Sequence, residues 1–407
     1  MKQSCDTALS LQHPPEGPLV PFLTVLATAL RAQAYAEATV GRYVRLSADF
    51  SRWLKEKHVA LANIGPSHVS RYLRYRYQRR RPTRDDPTIL RRVVELLVDN
   101  DVIRRETEAP SITTTQRILN EYAAYLQKER GLNIQTIHHY LPFVRSLLTS
   151  CRGPLSELRI HDVVRFVQRR AIVPQGTQAH TMTAALRSFF RFTTYCGYTR
   201  NHLAAAVPRV AQWSLSTIPK AISQDHLKRV LASCNRESTT GRRDFAILLL
   251  LARLGLRAGE IVALELDDID WRAGSLNVRG KGGYRSLLPL PPDAGKAIAD
   301  YLKRRPRSNG SRALFTRAIA PIRGFANSIA ICAIVSRALK RAGINSGRKG
   351  AHQFRHALAC EMLRRGGSLS EIGQILRHQS LRTTAIYAKV DLTSLRSLAL
   401  PWPGETP

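Results

Sequence analysis

The 407-residue sequence predicts a mainly α-helical protein with one small antiparallel β-sheet in its C-terminal domain. Three observations carry that expectation. Over much of the chain, apolar residues recur at the spacing of an amphipathic helix. Between 268 and 290 the pattern changes to short β-rich runs on either side of a Gly-Lys-Gly-Gly turn. Polar, proline-containing joints at 78–87 (QRRRPTRDDP), 104–115 (RRETEAPSITTT) and 208–219 (PRVAQWSLSTIP) break the chain into blocks, as a length suited to two or three domains requires.

The blocks are an N-terminal helical module at 1–105, a second helical domain at 110–207, a linker at 208–219 and a C-terminal domain at 220–407. In the second block, helical spacing over 118–126, 137–148, 161–167 and 182–195 predicts four or five helices with basic outer faces. The first block echoes it. Thr39, Val40, Tyr43 and Phe50 match Thr136, Ile137, Tyr140 and Leu147 at an offset of 97. Leu61, Ile64, Val69 and Arg71 then match Leu155, Leu158, Val163 and Arg165 at an offset of 94. Duplication of a helical module and chance likeness between amphipathic helices both account for this. In the C-terminal block, helices are expected at 223–233, 243–254, 293–304, 329–342, 353–365, 370–376 and 383–388, with strands at 268–271, 275–279 and 285–290.

Charge points to a partner. With 63 Lys and Arg against 30 Asp and Glu, the net charge is +33, far beyond what solubility needs, so a polyanion such as nucleic acid or an acidic membrane surface is expected. Of the basic residues 51 are Arg, whose planar fork suits phosphate oxygens, although genome composition also raises that ratio. The six cysteines are scattered, at least 28 positions apart, and show neither metal spacing nor a disulfide framework. No apolar run is long enough to span a bilayer and no signal peptide is recognisable, so the expected location is the cytoplasm.

Four stretches carry the chemistry: LARLGLRAGEIVAL, NVRGKGGYRSLLPL, AHQFRHALA and EIGQILRHQSLRTTAIYAKV. In that order they closely resemble the tyrosine recombinase (phage integrase) family. The resemblance spans roughly 218 to the C-terminus, with a weaker match over about 110–207 to the family's SAM-like core-binding domain. It implies catalytic roles for Arg257, Lys281, His352, Arg355, His378 and the nucleophile Tyr387, supported by Glu260. It also implies site-specific transesterification of double-stranded DNA with neither metal nor other cofactor, by a homotetramer on two DNA sites. Partner recombinases and docking of the tail at 388–407 on a neighbouring protomer belong to the same expectation. The rival readings are an inactive DNA-binding accessory protein, a type IB topoisomerase, and a transposase using the same chemistry.

The residue types suit the reaction in their own right. A phosphodiester cut by a protein nucleophile needs an ionisable hydroxyl, cations on the non-bridging oxygens and an acid for the leaving 5′-oxygen. The Tyr387 phenol ionises more readily than a serine hydroxyl, and nearby positive charge helps it further. Arg257 and Arg355 supply forks for the phosphate, and Glu260, three positions after Arg257, is within reach to orient it. Lys281 sits in the Gly-rich turn, either as a proton donor or as an ordinary exposed hairpin lysine. The spacing from Gly274 and the Gly after Lys281 exclude a phosphate-binding P-loop. His352 and His356 stand four apart, but Gln353 replaces the Glu that a zinc peptidase needs. His352 would then assist proton transfer from Tyr387, and His378 would bond a phosphate oxygen. Two positions depart from the family pattern. Phe354 stands where Leu is usual, and Arg377 stands where Gly commonly precedes the second His, a turn that would cost a non-Gly residue about 1 kcal/mol.

Overall fold

The computed structural model describes residues 14–103, 113–151, 153–171, 177–199, 202–210, 221–280, 283–306, 310–345 and 350–390. Lys281, most of the joints at 104–115 and 208–219, and the tail from 391 lie outside the described residues. The chain divides into two compact units, one of Met1–Arg105 with Thr217–Pro407 and one of Glu106–Ser216.

The N-terminal segment holds α1 (Val20–Ala32), α2 (Glu37–Glu56), a 3-10 turn (Leu61–Asn63), α3 (Pro66–Arg79) and α4 (Asp86–Asp99). Proline occupies the first turn of α1, α3 and α4, where its missing N–H costs nothing. Leu23, Leu26, Ala27 and Leu30 fall on one stripe of α1 and are buried with Val44, Phe50, Leu54, Tyr72, Leu90 and Leu97 in a core of this segment's own.

The second unit holds α5 (Thr114–Lys128), α6 (Ile134–Ser150), a 3-10 turn (Leu155–Glu157), α7 (Ile160–Ala171), α8 (Thr177–Tyr195) and the short α9 (Leu203–Ala206). These are the expected four helices and a fifth. Thr113 and Asn133 start α5 and α6 by accepting hydrogen bonds from the N–H groups of Gln116 and Gln135. Tyr122, Phe189 and Phe190 fill the core, and the Tyr122 hydroxyl donates to the carbonyl of Ala185.

The C-terminal segment runs α10 (Gln224–Ala232), α11 (Thr239–Leu254), α12 (Ala258–Ala263), β1 (Ile269–Asp270), β2 (Ser275–Arg279), β3 (Arg285–Pro289), α13 (Pro292–Leu302), α14 (Ile329–Arg341), α15 (His352–Arg364), α16 (Leu369–Ile375) and α17 (Leu381–Thr384). The three strands form an antiparallel sheet in chain order, with Arg279 opposite Arg285 at the hairpin end. Leu276 and Val278 of β2 turn inward, whereas β3 is half exposed. Helix α11 is apolar almost all round, from Ala246 to Ala252, and forms the centre of the largest core.

Among the elements that differ from expectation is the short helix α12 (Ala258–Ala263), which apolar spacing does not mark. Strand β1 is two residues long rather than four. The expected helix at 383–388 is instead α17 followed by a 3-10 turn, Ala385–Val390. The change falls at Thr384, buried and hydrogen-bonded to His378, so the chain is pinned there and tightens before Tyr387.

Candidate functional site

Helix α11 ends at Gly255, whose left-handed backbone (φ 56°) stops the helix and turns the chain into Arg257. Arg257 precedes α12, and Glu260 in the first turn reaches back to it. The Arg257 backbone N–H donates to Glu260 Oε2 at 2.9 Å and Nη1 donates to Oε1 at 2.7 Å. Glu260 is 4% exposed. Its burial works to raise the carboxyl pKa, but the bonds from Arg257 and the charge of Arg377 outweigh it and hold the group below the ordinary carboxylate value.

Arg377 comes from the other end of the segment, just after α16. It occupies the left-handed position (φ 56°) that glycine normally takes at a helix end, at a cost of about 1 kcal/mol. Its Nη2 donates to Glu260 Oε2 at 2.9 Å, and its carbonyl accepts from Arg257 Nη2 at 3.4 Å. The left-handed turn that its sequence position implied is therefore present, and its side chain joins the Arg257–Glu260 pair.

Arg355, on the first turn of α15, is 4% exposed. Nη1 donates to the carbonyl of Gly255 at 2.6 Å and Nη2 to the carbonyl of Leu376, so one guanidinium ties the end of α11 to the end of α16. Burial, reinforced by Arg257 and Arg377, pulls its pKa down to about 10, which leaves it cationic at neutral pH.

Tyr387 is 1% exposed in a small core with Ala359, Cys360, Ile372 and Leu376. Its hydroxyl is hydrogen-bonded to His356 Nδ1 at 2.9 Å. His352, one turn earlier, stands edge-on to His356 with ring centroids 6.2 Å apart. On the other side, the His378 ring lies parallel to the Tyr387 ring at 6.4 Å and bonds Thr384 through Nδ1 at 2.7 Å. Burial pushes the phenol up to about 12 against the pull of Arg355. Burial and then the surrounding arginines push His378 down to about 4, and His352 moves in the same direction.

An open cleft of about 870 Å³ collects these elements: Arg257, Glu260, Arg377 and His378 line it together with the hairpin residues Gly280, Tyr284 and Arg285. Tyr387 is not among the lining residues, but His378, stacked on it, is. The hairpin is closed by Gly280 N–H donating to the Tyr284 carbonyl at 2.7 Å. Lys281, in the turn between them, falls outside the described residues.

Comparison with known proteins decides the family. Residues 220–393 match the phage integrase family, and residues 119–195 match the phage integrase N-terminal SAM-like domain. The chain is 46% identical over 410 residues to y4rA of Sinorhizobium fredii, named as an integrase/recombinase, with 100% of both chains covered. It is 31% identical over 312 residues to tyrosine recombinase XerD of Mycobacterium tuberculosis, covering 71% of this chain and 97% of that one. This chain belongs to the phage integrase family. It is thus a tyrosine recombinase, an enzyme that cuts and rejoins DNA through a tyrosine intermediate.

The fold agrees with solved recombinases at low identity. The post-cleavage complex of XerH on a palindromic difH substrate has a TM-score of 0.55 at 18% identity, covering 72% of this chain and 89% of that one. A lambda integrase dimer on a COC′ core site has a TM-score of 0.54 at 15% identity, covering 80% and 91%. In the present recombinase, Arg257, Glu260 and His378 line the cleft, while Arg355 and His352 of α15 and Tyr387 after α17 lie outside its lining, Tyr387 stacked on His378. In the sequence His356 is visible only as the second histidine of a pair whose spacing would suit zinc. The structure places it, rather than His352, on the phenol. Its position one turn after His352 on the same helix face makes it an equal candidate, and spacing does not choose between the two. Thr384, the partner of His378, carried no sequence signal.

Proposed function

We propose that this recombinase cleaves double-stranded DNA with Tyr387 as nucleophile and exchanges strands between two DNA sites. The observation that supports it is a cleft lined by Arg257 and a neutral His378, with the buried Tyr387 phenol stacked on that histidine and bonded to His356, and with buried Arg355 tied to the chain beside Arg377. Arg257 and Arg355 bind the non-bridging oxygens of the scissile phosphate, where charge grows in the transition state. His378, uncharged at neutral pH, bonds the same phosphate. The Tyr387 oxygen attacks phosphorus and its proton passes to His356, with His352 packed behind that ring. The phosphorus–O5′ bond breaks, Lys281 protonates the leaving oxygen, and the DNA is left as a 3′-phosphotyrosyl adduct. A 5′-hydroxyl from the partner strand then attacks the adduct and releases Tyr387, so bond energy is retained and neither nucleotide nor metal takes part.

Glu260 positions Arg257 and touches no substrate. Residues 220–407 act as the catalytic domain and 110–207 as a DNA-gripping domain, joined by a linker at 208–219, and four protomers assemble on two DNA sites. Because the phenol is buried, the 381–390 segment must shift for Tyr387 to reach a phosphate in the cleft. The test is denaturant-resistant adduct formation on nicked duplex DNA. Tyr387→Phe abolishes the adduct with DNA affinity unchanged, and His356→Leu slows it about 100- to 10,000-fold at neutral pH. An adduct formed by Tyr387→Phe overturns the assignment.

A further inference from the structure

We propose that Arg377 is a positioning residue for the phosphate clamp: by sharing the Glu260 carboxylate with Arg257, it holds the Arg257 guanidinium toward the cleft. The inference rests on the reading of Arg257 and Tyr387 given above and deepens it.

The backbone is the first observation. Arg377 occupies a left-handed helix-end position (φ 56°), where glycine would close α16 with no steric penalty. The Arg377 N–H donates to the Gln374 carbonyl and the His378 N–H to the Gly373 carbonyl, both at 2.9 Å. Those main-chain bonds do not need a side chain. A strained residue kept where an unstrained one would serve the fold directs attention to what its side chain does.

The side chain supplies the second observation. Each Glu260 oxygen already accepts one bond from Arg257, so Arg377 adds a further donor to a carboxylate that is already paired. Arg377 Nη2 nevertheless takes Oε2 at 2.9 Å, Nη1 donates to the Ile375 carbonyl at 3.3 Å, and Nε is buried with no hydrogen-bond partner among the described residues. The Arg377 carbonyl accepts from Arg257 Nη2, which closes a ring Arg257–Glu260–Arg377 across 120 residues of chain. Arg257 is thereby held at its backbone, at Nη1 and at Nη2. Two guanidinium groups, Arg257 and Arg377, hold the one Glu260 carboxylate, and the charge of Arg355 is felt by both. The surplus of positive charge lies beside a cleft where a phosphate would gain negative charge in the transition state.

A purely structural ion pair and a positioning role predict opposite results for Arg377→Gly. Glycine relieves the left-handed strain, so the melting temperature of the full-length variant equals or exceeds that of the unaltered protein. The single-turnover rate of adduct formation at saturating nicked duplex falls roughly 10- to 100-fold, the effect of a misplaced clamp. The half-saturating DNA concentration rises by less than the rate falls, because Arg257 and Arg355 still carry their charge. Arg377→Lys, which keeps the charge but loses the fork, recovers part of the rate. Because Arg377 acts through Glu260, the losses in Arg377→Gly and Glu260→Gln are less than additive in the double variant. An unaltered cleavage rate in Arg377→Gly, or a loss accompanied by a matching drop in melting temperature, overturns the proposal. The Tyr387→Phe control separates the two readings: an adduct absent there and present in the unaltered protein leaves the nucleophile standing whatever Arg377 does.

Discussion

Burial governs the protonation of both rings that face each other at the bottom of the cleft. Tyr387, held up at about 12, stays a neutral phenol until its segment moves or a base takes its proton. His378, held down at about 4, stays a neutral imidazole. The folded protein thus binds the His378 proton less readily than the unfolded chain does, where histidine titrates near 6.5. The stability that this contributes is fully present above the unfolded value and is lost as pH falls toward about 4. His352, lowered for the same reason, adds to the effect in the same direction. Thermal melts between pH 7 and pH 4 are therefore expected to show a steady loss of stability, and His378→Asn should flatten that slope. An identical slope in the variant would remove His378 from the acid response.

Single elements set the geometry of the clamp. The end of α11 is the clearest case, because Gly255 is left-handed and its carbonyl is the acceptor for Arg355 Nη1. A Cβ at that position would meet Leu376 Cδ2 at 2.8 Å and Leu358 Cδ2 at 3.1 Å. Gly255→Ala is expected to destabilise the fold by about 1–3 kcal/mol, from backbone strain plus crowding. It should also lower the cleavage rate by more than the loss of folded protein explains, since Arg355 moves with the carbonyl. Denaturant melts alongside single-turnover cleavage measure both. The β2–β3 hairpin sets the other wall. Lys281→Ala is expected to slow cleavage about 100- to 10,000-fold if Lys281 protonates the leaving group. A substrate with sulfur in place of the 5′-bridging oxygen should recover most of that rate, because a thiolate leaves without a proton. No recovery would assign Lys281 to DNA positioning alone.

Across the whole molecule, the +33 charge sets the expected salt response. Each neutralised phosphate contributes about 0.9 to the slope of log K against log salt, and a slope shallower than about 4 would contradict a DNA footprint of this size. The N-terminal segment is part of that expectation. Its order of two helices, a 3-10 turn and two helices is repeated in α5, α6, Leu155–Glu157, α7 and α8. We propose that it is a second helical module which also grips DNA. Its third helix and the turn after it carry seven arginines and no acidic residue from 71 to 84. Arg76 is taken up by Asp49 and Asp86, and Arg79 lies over the Tyr75 ring. Arg71, Arg74, Arg81 and Arg84 are exposed, with no ion pair among the described residues. Replacing those four with Ala in the full chain is expected to shorten the footprint on long duplex DNA. The salt slope should fall by up to about 3–4, with the adduct rate on a short core site unchanged. An unchanged footprint and slope would restrict the segment to an architectural role.

The amino-acid sequence by itself determined what depends on short-range spacing. Helix periodicity located α5 to α8 and most of the C-terminal helices, because burial of one stripe is written every three to four residues. Alternation around a Gly-rich turn located the hairpin, and Glu260 at three positions from Arg257 implied the pair that forms. Even the strained turn at Arg377 was legible, as a non-glycine residue at a glycine position. Tertiary structure decided what lies between distant segments. Arg355 meets the carbonyl of Gly255, 100 residues away, and Arg377 meets Glu260 at a separation of 117. The choice between His352 and His356 as partner of the phenol also belongs here. Both lie on one face of α15, about 6 Å apart along its axis. Which of them meets Tyr387 depends on how far the 381–390 segment slides past that helix as the core closes, and no residue pattern within either segment encodes that distance.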